Sequence, residues 1–268
     1  MAGKSGYLTY GLKLDFIGLS IRKMSEKLYH NIHAKMQQGE RQLAVLIDPD
    51  KLDNEQAKVI GEEINKAPVD YIFVGGSLLT KDCLDACLDS LRAVTSKPLI
   101  LFPGSSMQVS AKADAILFLS LISGRNPDLL IGQQVIAAPY VKQSGLEVLP
   151  TGYMLIDSGS PTTASYMSGS LPIPANKPEI AAVTAMAGEM LGMKLMYMDG
   201  GSGADNSLNT ATLQAVRKAV KAPIIVGGGV TSSAQAEELF NAGASVVVVG
   251  NALEKDPKAL REISLAVV

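Results

Sequence analysis

The 268-residue sequence has no tryptophan, two cysteines and two histidines. Two cysteines, Cys83 and Cys87, exclude a disulfide scaffold and a zinc-ribbon type of site. They stand four apart on one helical face, with no further Cys or His near, which reads as core packing rather than metal binding. His30 and His33 both lie near the start of the chain, as surface or interface residues. A Ser-His-Asp or Cys-His machine is therefore disfavoured. Excess charge of one sign is also missing: the formal net charge is −2, which gives no electrostatic reason to expect nucleic acid. Long apolar runs are absent too, the stretch 245–249 falling far below the ~20 residues of a spanning helix. Residues 1–23 show no signal-peptide pattern. They read as an extension outside the domain, either disordered or an artefact of the start site, with Met24 as a second start-like point. The expected location is the cytoplasm. Chemistry must run on carboxylates, hydroxyls, backbone amides or a bound metal.

What is present is rhythm. A helix is predicted over 25–38, where Leu28, Ile32 and Met36 recur every four residues. Eight short apolar runs follow, at 43–47, 71–74, 99–102, 115–119, 152–156, 194–198, 223–226 and 245–249. Such runs suit strands buried on both faces. Helical segments lie between them, for example at 55–65, 84–94, 208–220 and 233–241. Asp53 and Gln56 have capping-box spacing. Strands alternating with helices demand parallel pairing, and eight units in about 245 residues match a single (β/α)8 TIM barrel with an extra N-terminal helix. Residues 24–268 form that domain. An open doubly wound sheet is the rival, and it lacks the usual early G-x-G-x-x-G. The connection 157–177 is long and rich in Ser, Thr and Pro, as a lid or substrate wall would be.

Barrel active sites lie at the C-terminal ends of strands. The residues there are Asp48, Pro49 and Asp50; Gly75, Gly76 and Ser77; Pro103 and Gly104; Asp199, Gly200, Gly201, Ser202 and Gly203; Gly227, Gly228 and Gly229; Gly250 and Asn251. Glycines after the last two strands let backbone N–H groups approach a phosphate, or they only make tight turns. Asp50 and Asp53 are nearer the next helix and better placed to cap it. That leaves Asp48 for a hard cation such as Mg2+, with the Ser77 hydroxyl as a neighbouring oxygen. Tyr197 and Asp199 alternate on one strand and share a face. They read either as an acid and a phenol acting on a substrate hydroxyl or as a packed core pair.

These segments, with the run from Tyr197 to Ala204 the most specific, resemble the geranylgeranylglyceryl phosphate synthase family over 24–268. The resemblance implies a modified TIM barrel that joins sn-glycerol 1-phosphate to a polyprenyl diphosphate, expected to be geranylgeranyl diphosphate. The product is an ether, and diphosphate is released. It puts Asp48 and Ser77 on the family's magnesium positions. Tyr197, Met198, Asp199, Gly200, Gly201, Ser202, Gly203, Gly228, Gly229, Gly250 and Asn251 fall on its glycerol 1-phosphate positions. Asp199 would act on the hydroxyl proton with Tyr197 holding the glycerol. Asp199 stands where many members have Glu, and Gly200 where Ala is common. Met107, Phe118, Leu121, Ile122, Tyr166 and Met167 are candidate walls for the prenyl chain. The resemblance also implies a homo-oligomer. The rival functions are a phosphate-binding barrel isomerase, a flavin-dependent barrel enzyme and a non-catalytic barrel that binds a phosphorylated ligand.

Overall fold

The computed structural model describes residues 27–201, 207–250, 253 and 258–267. The extension 1–23 lies outside the described residues. Eight parallel strands close on themselves in chain order: β1 (Gln42–Ile47), β2 (Tyr71–Val74), β3 (Leu99–Leu101), β4 (Ala115–Leu121), β5 (Glu147–Leu155), β6 (Leu195–Asp199), β7 (Ile224–Gly227) and β8 (Val246–Val249). The last pairs with the first, Gln42 against Val246. All eight predicted runs are strands. The largest difference is β5, which begins five residues earlier than its predicted run. Pro150 and Thr151 lie within that added stretch and blur its pattern.

Around the strands lie α1 (Lys27–Gln37), α2 (Asn54–Asn65), α3 (Leu84–Arg92), α4 (Gln133–Ser144), α5 (Thr163–Ser168), α6 (Pro178–Met190), α7 (Thr210–Ala219), α8 (Ser233–Asn241) and α9 (Ala259–Ile263). Asp53 and Gln56 form the capping box of α2. Cys87 is buried in the core, whereas Cys83 is half-buried with its thiol against the Asp50 carboxylate at 3.4 Å. One crossover breaks the alternation. Between β3 and β4, residues 102–114 form turns and no helix. The barrel is thus open to a groove where that helix would lie.

Strand alternation sorts the core into two layers. Ala44, Tyr71, Phe73, Ile100, Leu117, Leu149, Tyr197, Ile225 and Val248 point inward and fill the barrel. Residues such as Leu43, Ile72, Met196, Met198 and Val247 point outward beneath the helices. The bottom is closed by α1, whose Ile32 enters the inner cluster. Glu147, at the start of β5, fastens it. Its two carboxylate oxygens accept from the Leu28 and Tyr29 backbone N–H groups at 2.9 and 2.8 Å. A carboxylate also suits the positive end of a helix. Glu147→Ala should therefore lower unfolding stability by about 2 kcal/mol, the scale of hydrogen bonds to a charged acceptor. Urea denaturation checks this, and an unchanged midpoint would mean that α1 is held by packing alone.

Candidate active site

The opposite, C-terminal end of the barrel holds a cavity of about 710 Å³. Its floor is aromatic. Phe102 stacks on Tyr197 with ring centroids 4.8 Å apart, and it meets Phe73 and Tyr153 edge-on at 6.3 and 5.9 Å. Asp199 stands at the end of β6 over this floor. Its position follows from parity: Leu195, Tyr197 and Asp199 face inward, while Met196 and Met198 face the helices.

The Asp199 carboxylate is held by two donors. The Tyr153 phenol donates to Oδ2, and the Gly201 backbone N–H donates to Oδ1 at 2.6 Å. Burial over the dry floor pushes the Asp199 carboxyl above the usual carboxylate range, and the two hydrogen bonds pull it part of the way back. Burial and the neighbouring Asp199 charge hold the Tyr153 and Tyr197 phenols well above their ordinary value. Both phenols therefore stay protonated, and the carboxylate is the group here that can accept a proton. The phenol bonded to Asp199 comes from Tyr153, not Tyr197. Tyr153 sits on the neighbouring strand in register with Tyr197, and both rings line the cavity. The signal for Tyr153 was present: it lies within the predicted fifth strand, where ring order sets it beside the sixth.

Asp48 ends β1 and lines the cavity together with Ser77. Its expected freedom from capping is corrected. Asp48 caps the single 3-10 turn Pro49–Lys51, its Oδ1 accepting from the Asp50 backbone N–H at 3.1 Å. Lys51 Nζ lies 3.7 Å from the other oxygen. Asp50 turns away instead, taking the backbone N–H groups of Thr80 and Lys81. These bonds tie the loop before α3 to Asp50 across some thirty residues, a separation at which local sequence gives no sign of them. A Cβ at Gly76 would lie 3.1–3.2 Å from the Asp48 carboxylate, so the bare backbone there leaves that carboxylate room.

Gly201, Gly228, Gly229 and Gly250 line the wall that follows β6, β7 and β8, with Gly250 next to β1. Gly228 has φ +95°, and a Cβ on it would lie 2.7 Å from the Gly201 backbone nitrogen. The turns after β6 and β7 are therefore wedged together, and only glycine fits. Gly200 is part of that joint rather than the wall, its N–H donating to the Gly227 carbonyl at 2.9 Å. Met198 is buried in the outer layer and does not reach the cavity with its side chain. Ser202, Gly203 and Asn251 lie outside the described residues.

The long connection after β5 folds over this end. Ser158 Oγ donates to the Gly200 carbonyl at 2.6 Å. Thr163, Ala164, Met167 and Ser168 of α5 face the cavity. Across from the glycines, Leu117, Phe118, Leu119, Leu121 and Ala137 line an apolar half that runs into the groove left by the absent helix. Among the expected walls, Phe118, Leu121 and Met167 are there. Ile122 instead packs under α6, against the position a Cβ would take at Gly188. Met107, on the loop after β3, and Tyr166, on α5, are exposed to solvent instead.

Comparison with known proteins adds a family. The model of the PcrB family matches residues 36–267. The geranylgeranylglyceryl phosphate synthase of Spirosoma linguale is 52% identical over 229 residues, which is 85% of this chain and 92% of that protein. That of Chitinophaga pinensis is 50% identical over 91% of this chain and 97% of its own length. Among solved structures, (S)-3-O-geranylgeranylglyceryl phosphate synthase from Thermoplasma acidophilum, in complex with its substrate sn-glycerol-1-phosphate, superposes with a TM-score of 0.84. It is 30% identical, and the match covers 90% of this chain and 98% of that one.

The electrostatics carry a test. With its native value raised, Asp199 binds its proton more tightly folded than unfolded. Its stabilising contribution is complete below the ordinary carboxylate range and is lost as pH rises through the native value. Tyr153→Phe removes a donor that lowers this value, so the loss should move to higher pH. Carboxyl-carbon NMR titration of both proteins checks the direction, and a downward move would contradict the assignment.

Proposed function

The chain belongs to the PcrB family, and on that premise we propose that it joins sn-glycerol 1-phosphate to a polyprenyl diphosphate through an ether bond and releases diphosphate. The prenyl donor in this reading is geranylgeranyl diphosphate. The observation that carries it is the division of one cavity. A glycine-lined wall suited to a phosphate faces an apolar groove suited to a hydrocarbon chain, and a buried acid stands with them in the same cavity.

The glycerol phosphate binds by its phosphate at Gly228, Gly229 and Gly250. There the backbone approaches closely and the N-terminus of α8 adds a favourable dipole. Anchoring that end presents the C3 hydroxyl to C1 of the prenyl chain. The hydroxyl oxygen forms the new C–O bond as the bond from C1 to the diphosphate breaks, with its electron pair leaving on the diphosphate. Asp199 accepts the hydroxyl proton. Its raised proton affinity favours that transfer, and Tyr153 and Gly201 fix the carboxylate plane. Tyr197, stacked on Phe102, forms the surface beneath the glycerol. The aromatic floor and α5 keep water from the allylic carbon.

Asp48 and Ser77 are the residues we propose for Mg2+. Among the described residues no group of three or more His, Cys, Asp or Glu could hold a metal. One carboxylate and one hydroxyl fit an ion that keeps its waters and takes oxygens from a substrate phosphate. When bound, the ion offsets the charge on the departing diphosphate.

The enzyme in this reading is a cytoplasmic homo-oligomer. No helix among the described residues is long and apolar enough to cross a membrane. Val135, Ile136 and Tyr140 form an exposed apolar face on α4 that suits a second copy.

Incubation with labelled glycerol 1-phosphate, Mg2+ and prenyl diphosphates of increasing length tests the reaction. An ether product is expected, and none with any donor would refute the reading. Asp199→Asn should lower kcat by ~10²–10⁴, the contribution of a positioned base, without changing apparent magnesium affinity. Rescue by excess Mg2+ would move this acid to the metal site. Asp48→Ala should lose about 1 kcal/mol of stability with its cap and nearly all transfer. Activity with an unaltered magnesium dependence would exclude Asp48 as a ligand.

A further inference from the structure

The rim of the cavity is chemically uneven. Among the described residues, the three most exposed large apolar side chains are Leu171, Met107 and Tyr166, at 89%, 85% and 84%. All three stand on connections that follow strands, Tyr166 on the short helix α5, and so at the mouth of the barrel rather than its base. Met107 is on the loop after β3, and Tyr166 and Leu171 are on the connection after β5. Leu78, after β2, and Met167 are also exposed, and these two line the cavity as well. Ser106 and Met167, the chain neighbours of Met107 and Tyr166, line the cavity, so these exposed side chains stand beside its mouth.

The geometry points to a lipid surface as the partner of this half-rim: the enzyme rests on a membrane by Met107, Tyr166 and Leu171, and the prenyl diphosphate enters the groove from there. This rests on the reading that the cavity takes a prenyl diphosphate. Two arguments select a lipid over a second copy of the chain. The apolar tips stand on two separate connections, those after β3 and β5, beside an open concavity, which a fluid surface accommodates and a flat helix face does not. A protein seated there would also cover the entrance, whereas a bilayer holds the amphiphilic substrate at the depth where the groove begins. Apolar groups inserted at an interface act without opposite charge, so the contact should survive salt.

Co-sedimentation of the full chain with zwitterionic phosphatidylcholine vesicles, at low and high salt, tests this. Wild type should pellet with the vesicles at both. The triple variant Met107→Ser, Tyr166→Ser, Leu171→Ser should bind at least about fivefold more weakly. Its turnover on prenyl diphosphate dispersed in detergent should stay within about twofold of wild type, while turnover on vesicle-held substrate falls. The control Met190→Ser, Leu191→Ser removes side chains that are 79% and 78% exposed at the end of α6, on the base of the barrel, and should bind as wild type does. Wild type left in the supernatant, or equal binding by the triple variant, overturns the proposal. So does equal loss in the control. A triple variant that changes oligomeric mass but not vesicle binding assigns the rim to a second copy and also overturns it. Vesicle binding without transfer in detergent would instead refute the prenyltransferase reading and leave the docking surface standing.

Discussion

Closure of the sheet is the constraint on which everything else rests. Once β8 pairs with β1, no edge is left, and each strand has one face inside and one under the helices. A side chain's place is then decided by whether its number is odd or even within the strand. Tyr197 and Asp199 enter the barrel for that reason, and Met198 between them is excluded from it. The same rule brings Tyr153 beside Tyr197 without any contact between them in sequence. One missing helix does the rest: where the third crossover runs without one, the outer face of β4 is free to line a groove.

The buried acid shows how the fold sets reactivity. An aromatic floor gives Asp199 little solvation, which favours its protonated form. Two fixed donors oppose that effect without supplying a charge. The balance leaves a carboxylate that is oriented and readier than an exposed one to take a proton. On the far side of the mouth Asp48 has the opposite surroundings, with partial exposure and a lysine nearby. Two acids of the same type are thus differentiated by their neighbours alone.

Much of this could be read before the coordinates. Apolar runs ended by Gly, Asp or Ser gave the strands and their order, because a strand buried on both faces has a pattern that few other elements share. The glycines at 228 and 229 and the acids at 48 and 199 fell at strand ends and so at the mouth. What stayed hidden depended on contacts distant in sequence. The cap made by Asp48 depends on where Asp50 is drawn, which Thr80 decides. The partner of Asp199 lies 46 residues away. Exposure of Met107 and Tyr166 depends on how the connections after β3 and β5 are laid over the mouth, for which an apolar side chain gives no local sign. The eight-unit rhythm implies a helix after β4, but α4 has no clear periodicity of its own, since its apolar residues are spread around it and Pro139 interrupts it.

The fastening of α1 has a consequence for how the chain comes to be made. The amide groups of Leu28 and Tyr29 find their acceptor 119 and 118 residues later in the chain. Strand β1 is made early, yet its second neighbour begins at Val246. A nascent chain therefore carries its base plug and one bare strand edge through most of synthesis. Neither can be satisfied until its partner has been made, and the loop closed then costs an entropy that grows only slowly with its length. Such a molecule cannot crystallise its structure piece by piece from the ribosome outward. Pairing β8 with β1 is a long-range join of the kind that topology slows, and the edge left bare before it is short.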